Sequence, residues 1–186
     1  FQRLQKKADA TIPQVLVSKE LLKCLAAEKN ENLFLGNYNK MMSALSDDKD
    51  CDLIFDDVKY LANNQEISKY YTSDYSFKKE KWFPSFWTRR SNTGTGIDKR
   101  VYEHYKRLLY AENIYYWDRE RFSFLKPINS YNSNYEFSDQ GYIYIKYGEP
   151  DKINKSAEMN GAPATLREAW LYNPSANNDK KIFHFF

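Results

Sequence analysis

A chain of 186 residues with 42% hydrophobic content is the size of one domain and carries enough apolar side chains for a core without a metal or disulfide framework. Its 28 basic and 25 acidic residues nearly cancel, leaving a formal charge of +3, and they are mixed along the chain rather than gathered in a stripe, which argues against a nucleic-acid partner. The apolar runs are far shorter than the ~20 residues that span a bilayer, and no basic start followed by an apolar stretch is visible, so no transmembrane segment is expected in this chain.

The first residue is Phe1 rather than Met, which fits a chain whose leader has been removed or a segment of a longer one. Aromatic residues make up 17%, with 16 Tyr and 12 Phe. A Tyr-rich core boundary accounts for them, since Tyr buries its ring while its hydroxyl stays wet; an aromatic ligand-binding surface is the alternative. Cys24 and Cys51 each fall on the apolar side of an expected helix, where a thiol behaves as a small hydrophobe. A disulfide between those helices would instead imply an oxidising compartment.

From Pro13 to about Lys29, Val17, Leu21, Leu22, Cys24 and Leu25 recur at helical spacing, and Pro13 suits a first turn. After a break through Gly36 and Asn37, Met41, Met42 and Leu45 predict a short helix. Asp50 offers an N-cap to a helix with the stripe Cys51, Ile54, Phe55, Val58 and Leu61. Residues 66–90 hold two further helical pieces, the second carrying Trp82, Phe83, Phe86 and Trp87 with Pro84 at its first turn or at a kink. After Ser91–Gly96, Asp98 opens a long helix with Val101, Tyr105, Leu108, Leu109 and Tyr116 on one face and a Glu103–Arg107 pair one turn apart.

Beyond a loop rich in Asn, Ser and Tyr the period becomes two. Tyr142, Tyr144 and Lys146 alternate with Ile143, Ile145 and Tyr147 between Gly141 and the turn Gly148–Asp151, which predicts a strand. Further strands are expected over 166–172 and 181–186. Helices first and strands last predict an α+β fold, N-terminal helices packed on a small, mainly antiparallel C-terminal sheet. The expected organisation is a helical extension over 1–64 and an α+β domain over 65–186. The Ile143 and Ile145 side of the first strand is expected to be roofed by the helices, with no room for a reaction centre beneath.

Asp48, Asp50 and Asp52 have the alternate spacing of a calcium loop, but Leu53 and Lys59 stand where Gly and Glu are needed. Acids there already complement a helix N-terminus. Gly94–Arg100, with Arg89 and Arg90 nearby, resembles an anion-cradling loop entering a helix, yet a helix rather than a strand precedes it, and a hinge is the simpler reading. His104 and His184 lack metal-ligand spacing, neither Cys sits in a basic loop, and no nucleophile elbow occurs, so no metal, cofactor or catalytic residue is assigned. Asp139, Glu149, Asp151 and Glu168 surround the sheet and would carry hydrolytic chemistry only if they converge.

Phe86-Trp87 with Arg90 three residues on, then the Tyr-rich helix with Arg107 and Ala111, then Ser138-Asp139-x-Gly141-Tyr142-Ile143-Tyr144-Ile145-x-Tyr147-Gly148-x-Pro150-Asp151, form an order similar to that of the GWxTD-domain family. Glu168-Ala169-Trp170-x-Tyr172 and Phe183-His184-Phe185 resemble its two following strands, so the likeness covers roughly residues 65–186. The naming motif departs here: Tyr135-Glu136-Phe137-Ser138-Asp139 lacks its Gly and Trp, and Ser91-Asn92-Thr93-Gly94 replaces an acidic, Pro-rich segment.

The resemblance implies a domain of exported or envelope-attached, periplasmic or outer-membrane-associated proteins of Bacteroidota-like bacteria, often one module among several, with membrane attachment through an N-terminal part missing here as one option and without an activity to carry over. Among the shared positions, Pro150 is read as fixing a turn, Gly148 as giving backbone freedom, Asp139 as capping, and Arg90 as pairing with Asp139 or Asp151 to tie the helices to the sheet. Phe86, Trp87, Gly141 and Asp151 complete this structural set. The functional alternative is a patch of Arg90, Tyr142, Tyr144, Lys146 and Trp170 gripping a peptide, a glycan or an acidic partner. The leading expectation is a non-enzymatic interaction domain of an envelope complex with a protein partner; a glycan or peptidoglycan binder and a carboxylate-dependent hydrolase are the alternatives.

Overall fold

The computed structural model describes residues 13–72, 79–91, 96–116, 136–158, 165–174 and 179–185. Helix α1, Gln14–Ala27, starts after Pro13 and buries Val15, Leu22, Leu25 and Ala26 along one stripe; Lys29, at φ 56°, follows its end. Helix α2, Glu31–Ser43, begins earlier than Met41 implied, because the Asn30 side chain accepts from the Leu33 amide at 3.2 Å. It buries Phe34, Tyr38 and Met41.

Helix α3, Asp48–Val58, buries Cys51, Ile54, Phe55 and Val58 and runs into a 3-10 turn over Lys59–Leu61. Its cap is Asp47, which accepts from the Asp50 amide at 2.9 Å; Asp50, the residue expected to cap, accepts instead from Ser46. Helix α4, Asn64–Thr72, opens with a reciprocal capping box. Asn63 accepts from the Glu66 amide at 2.9 Å while Glu66 accepts from the Asn63 amide at 3.0 Å. Helices α5, Trp82–Thr88, and α6, Ile97–Ile114, follow.

The fold divides into two compact units, Phe1–Tyr110 and Ala111–Phe186. The division falls inside α6, whereas the expected boundary lay at 64 and 65; across that earlier position Phe55 stacks on Tyr70 at 3.9 Å between ring centres. The core of the first unit is aromatic. Tyr70 meets Trp82 edge-on at 5.4 Å, Trp82 stacks on Phe86 at 4.4 Å, Phe86 meets Trp87 at 5.0 Å, and Trp87 lies 5.5 Å from His104 on α6. Phe34 sits edge-on against Tyr102 and Tyr105. Each buried ring contributes on the order of 2–3 kcal/mol by leaving water, and each pair adds about 1 kcal/mol. Tyr38, Tyr60, Tyr70, Tyr102, Tyr105, Phe34, Phe55, Phe83 and Phe86 are buried here, so part of the Tyr and Phe abundance is a core property, while Tyr71 and Tyr110 stay exposed. Both cysteines are free thiols; Cys51 is buried, and burial followed by nearby Asp48 pushes its pKa up to about 11.

In the second unit, residues 139–147 correct the sequence expectation. They form a helix, α7, Asp139–Tyr147, not a strand. Ser138 accepts from the Gly141 amide at 3.3 Å as its N-cap, and Gly148, at φ 86°, ends it with its amide on the Tyr144 carbonyl at 2.7 Å. Tyr and Ile fill both parities of the segment, so its alternation carried no contrast between an inner and an outer face. The helix lies close to the preceding chain: a Cβ added to Gly141 would stand 2.6 Å from Cβ of Tyr115 and 3.0 Å from Cβ of Phe137.

The sheet is antiparallel and three-stranded, in the order β1, Lys152–Glu158, then β2, Thr165–Tyr172, then β3, Lys181–Phe185. With the helices before it, the class is α+β. Strands β2 and β3 match their expected positions, and β1 was not foreseen. Ile153, Trp170 and Phe183 are paired across the three strands and so share one face with Tyr172 and Phe185. Tyr147 of α7 covers that face, 5.3 Å from Phe183 and 5.5 Å from Tyr172, while Tyr115 lies 5.9 Å from Trp170. The turn after α7 is tied down twice: the Tyr172 hydroxyl donates to the Gly148 carbonyl at 2.9 Å, and Asp151 accepts from the Asn173 amide at 2.7 Å.

Candidate functional site

The five residues expected to form a binding patch have separate duties. Arg90 belongs to the first unit, where its fork grips Glu66 through Nη2 at 2.6 Å and Nη1 at 2.9 Å; Nη2 also donates to the Leu61 carbonyl at 2.7 Å. Its guanidinium lies 3.7 Å over the Phe86 ring. Arg89 adds a bond to Glu66 at 3.1 Å. Burial alone would raise the Glu66 carboxyl, but these bonds outweigh it and hold the group at about 2. The expected Arg90 pairing with Asp139 or Asp151 is therefore replaced by a clamp on the α4 capping box. Asp139 is exposed in the first turn of α7, and Asp151 serves the Asn173 amide.

The other four lie in the second unit. As a strand, Tyr142, Tyr144 and Lys146 would share a face; on a helix, residues two apart diverge by about 200°. Tyr142 and Tyr144 are half-buried, Tyr144 lies 5.9 Å from Tyr115, and burial raises the Tyr142 phenol. Lys146 is exposed, with its ammonium 5.7 Å from the Tyr147 ring centre. Trp170 is buried, its indole N–H donating to Glu168 at 2.6 Å. Phe86 and Trp87 are fully buried in the first unit, with the Trp87 indole donating to the Tyr38 hydroxyl at 3.1 Å.

Among the four acids considered for hydrolysis, Glu168 also pairs with Lys155 at 3.5 Å and Glu149 is exposed. Their described partners are structural. Among the described residues no group of three or more His, Cys, Asp and Glu stands together as a metal site, and no helix is long and apolar enough to cross a membrane.

What the sequence reading missed is a buried polar network in the first unit. Lys19 on α1 pairs with Asp57 on α3 at 2.9 Å, each side chain only 8% exposed. The Tyr105 hydroxyl donates to the second Asp57 oxygen at 3.2 Å, and His104 Nε2 lies 2.8 Å from the Asp57 carbonyl. A carbonyl only accepts, so Nε2 carries the proton and Nδ1 is the bare acceptor. Burial, with Arg100, Arg107 and Arg90 adding repulsion, lowers the His104 pKa to about 3, so the ring is neutral. A signal existed: Lys19 and Asp57 are the charged residues standing in otherwise apolar helical stripes, with opposite signs on two helices.

The outer face of the sheet is the remaining candidate. Ile182 is 52% exposed, Arg167 and His184 are exposed, and Ala169 and Leu171 are half-buried beside them. Among the described residues β1 and β3 each pair along one side only. Comparison of the chain with protein-family models, with curated proteins and with solved structures finds no match.

Proposed function

We propose that the protein is a non-enzymatic interaction domain, an accessory subunit of a bacterial cell-envelope complex, which docks by adding an extended segment of a protein partner beside β3. The observation that carries the docking reading is the edge of β3 that no described residue pairs with, together with Ile182, an apolar side chain 52% exposed on the sheet face opposite Tyr147. An unpaired strand edge presents a row of amide donors and carbonyl acceptors that a second strand satisfies, and side chains at alternate positions then select the partner. Ile182 and Leu171, paired across β3 and β2, offer the apolar column for that selection, with Arg167 and His184 as polar neighbours. The envelope setting comes from the resemblance to the GWxTD-domain family.

A photo-crosslinking residue at position 182 or 184, installed in the chain expressed in its native cells, is expected to give one discrete adduct in the envelope fraction. The same residue at Tyr71, exposed on α4, is the control and gives none. Equal labelling from position 71, or no adduct from 182 and 184, defeats the proposal.

A further inference from the structure

The guanidinium groups of the first unit outnumber the carboxylates beside them. Glu66 is shared by Arg89 and Arg90, at 3.1 Å and 2.6 Å. Glu103 is shared by Lys106 and Arg107, at 3.2 Å and 3.0 Å. Each of these acids already bridges two cations, and Arg100 has neither a hydrogen bond nor an ion pair among the described residues. Its Nε–H is sealed from solvent without an acceptor. Positions 100, 103, 104 and 107 follow one another along a single stripe of α6, at spacings of three and four. The second buried polar atom without a partner, Nδ1 of His104, lies one turn along the same stripe.

Among the described residues the surroundings do not neutralise this charge. Burial is the main influence lowering the Arg100 pKa; Arg107 and Arg90 lower it further and Glu103 opposes them, so more repulsion than attraction reaches the group. Asp98 stands about 200° around the helix from Arg100 and does not share its stripe. A water molecule bridging Nε and Nδ1 would satisfy a donor and an acceptor but would leave the cation unmatched. A planar guanidinium that is partly buried, held among other cations and lacking an acceptor among the described residues fits an oxyanion, which would take its two parallel N–H bonds from the terminal Nη edge because Nε is sealed.

We propose that Arg100 is the fork of an oxyanion-binding site on α6, taking the phosphate or carboxylate group of a small ligand, with Arg90 and Arg107 supplying the surrounding positive field. The site is distinct from the loop-cradle reading of Gly94–Arg100, because side chains on one helical stripe do the binding rather than backbone amides of a glycine loop. It is also independent of the docking edge on β3.

The test is a titration of the intact protein followed through its arginine Nε–Hε resonances, with inorganic phosphate in one arm, acetate in a second and sodium chloride of matched ionic strength in a third. The Arg100 signal is expected to shift saturably in the phosphate or the acetate arm, at a concentration below about 50 mM, and not with chloride. Saturation in one of the two arms identifies the oxyanion class. Arg100→Lys keeps the charge and loses the fork, and should weaken binding about tenfold or more. Glu103→Gln removes the local competitor and should tighten binding roughly threefold or more. Glu103→Gln keeps the question open to refutation if the Arg100 variant fails to fold. The absence of a saturable shift in both oxyanion arms, unchanged affinity in Glu103→Gln, or an Arg100 Hε already bonded to a carboxylate of this chain before any addition would each overturn the proposal.

Discussion

Replacing Gly141 by Ala tests the helical reading of residues 139–147 with opposite outcomes for propensity and packing. In a helix, Ala normally gains about 0.5–1 kcal/mol over Gly. Here the added Cβ would lie 2.6 Å from Cβ of Tyr115 and 3.0 Å from Cβ of Phe137, whereas carbon atoms in contact sit about 3.5–4.0 Å apart. Neither atom is the tip of a flexible side chain. Both are rooted in a backbone tied to α7, through the Ser138 amide on the Tyr115 carbonyl at 3.0 Å and the bridge between Tyr116 and Phe137. Relief therefore requires α7 to move by about 1 Å, an overpacking cost of about 1–3 kcal/mol.

Subtracting the propensity gain from the middle of that range leaves a net loss of about 1 kcal/mol and at most about 2.5 kcal/mol, the central value being a factor of about 5–10 in the population of the opened unit. Hydrogen exchange over 139–147 and 165–172 reads that factor directly, without assuming that both units unfold together. Exchange that is unchanged or slower in Gly141→Ala would refute the close approach, and with it the placement of α7 against Tyr115.

The first unit should lose stability in acid, in two stages. The His104 pKa is lower folded than unfolded, so between its ordinary 6.5 and about 3 the unfolded chain binds the extra proton and stability falls as pH falls; His104→Gln should flatten that portion of a stability–pH curve. The Glu66 carboxyl is likewise held below its ordinary value, so its contribution is fully present above about pH 4.5 and disappears toward pH 2. Arg90→Lys keeps one charge but loses the bidentate grip and the Leu61 carbonyl bond, and should cost about 2–3 kcal/mol in urea unfolding. Breaking the Lys19–Asp57 pair with Lys19→Met alone should cost about 3–5 kcal/mol, and Lys19→Met with Asp57→Leu should recover most of that loss. A double variant no more stable than the single one would contradict the buried-charge account.

Helices α1, α3 and α6 were legible because each carries an apolar stripe of period 3.6 against polar neighbours, and β2 and β3 because Trp170, Tyr172, Phe183 and Phe185 alternate with less apolar positions. Two segments failed for opposite reasons. In 142–147 every side of the segment is aromatic or aliphatic except Lys146, so a period of two matched as well as a helical one. The bracketing signals, Ser138 before it and Gly148 after it, were the informative ones. Strand β1 is an edge strand whose described side chains, Lys152 to Ser156, are all exposed and include only Ile153 as a large apolar group, so they leave no contrast between faces. Arg90 was recognised as an ion-pair residue, but its partner lies on another helix, and no local spacing encodes that distance in space. The same holds for the orphaned Arg100, which looks in sequence like any solvated charge on a long helix.

The central claim, docking along β3, is tested most directly by amide exchange of residues 181–185 in the chain alone and in its native envelope assembly. The account predicts slower exchange at β3 in the assembly, with β1 and the helices of the first unit unchanged, as expected when a partner strand takes up amides that otherwise face water. Equal exchange at β3 in both states would contradict it.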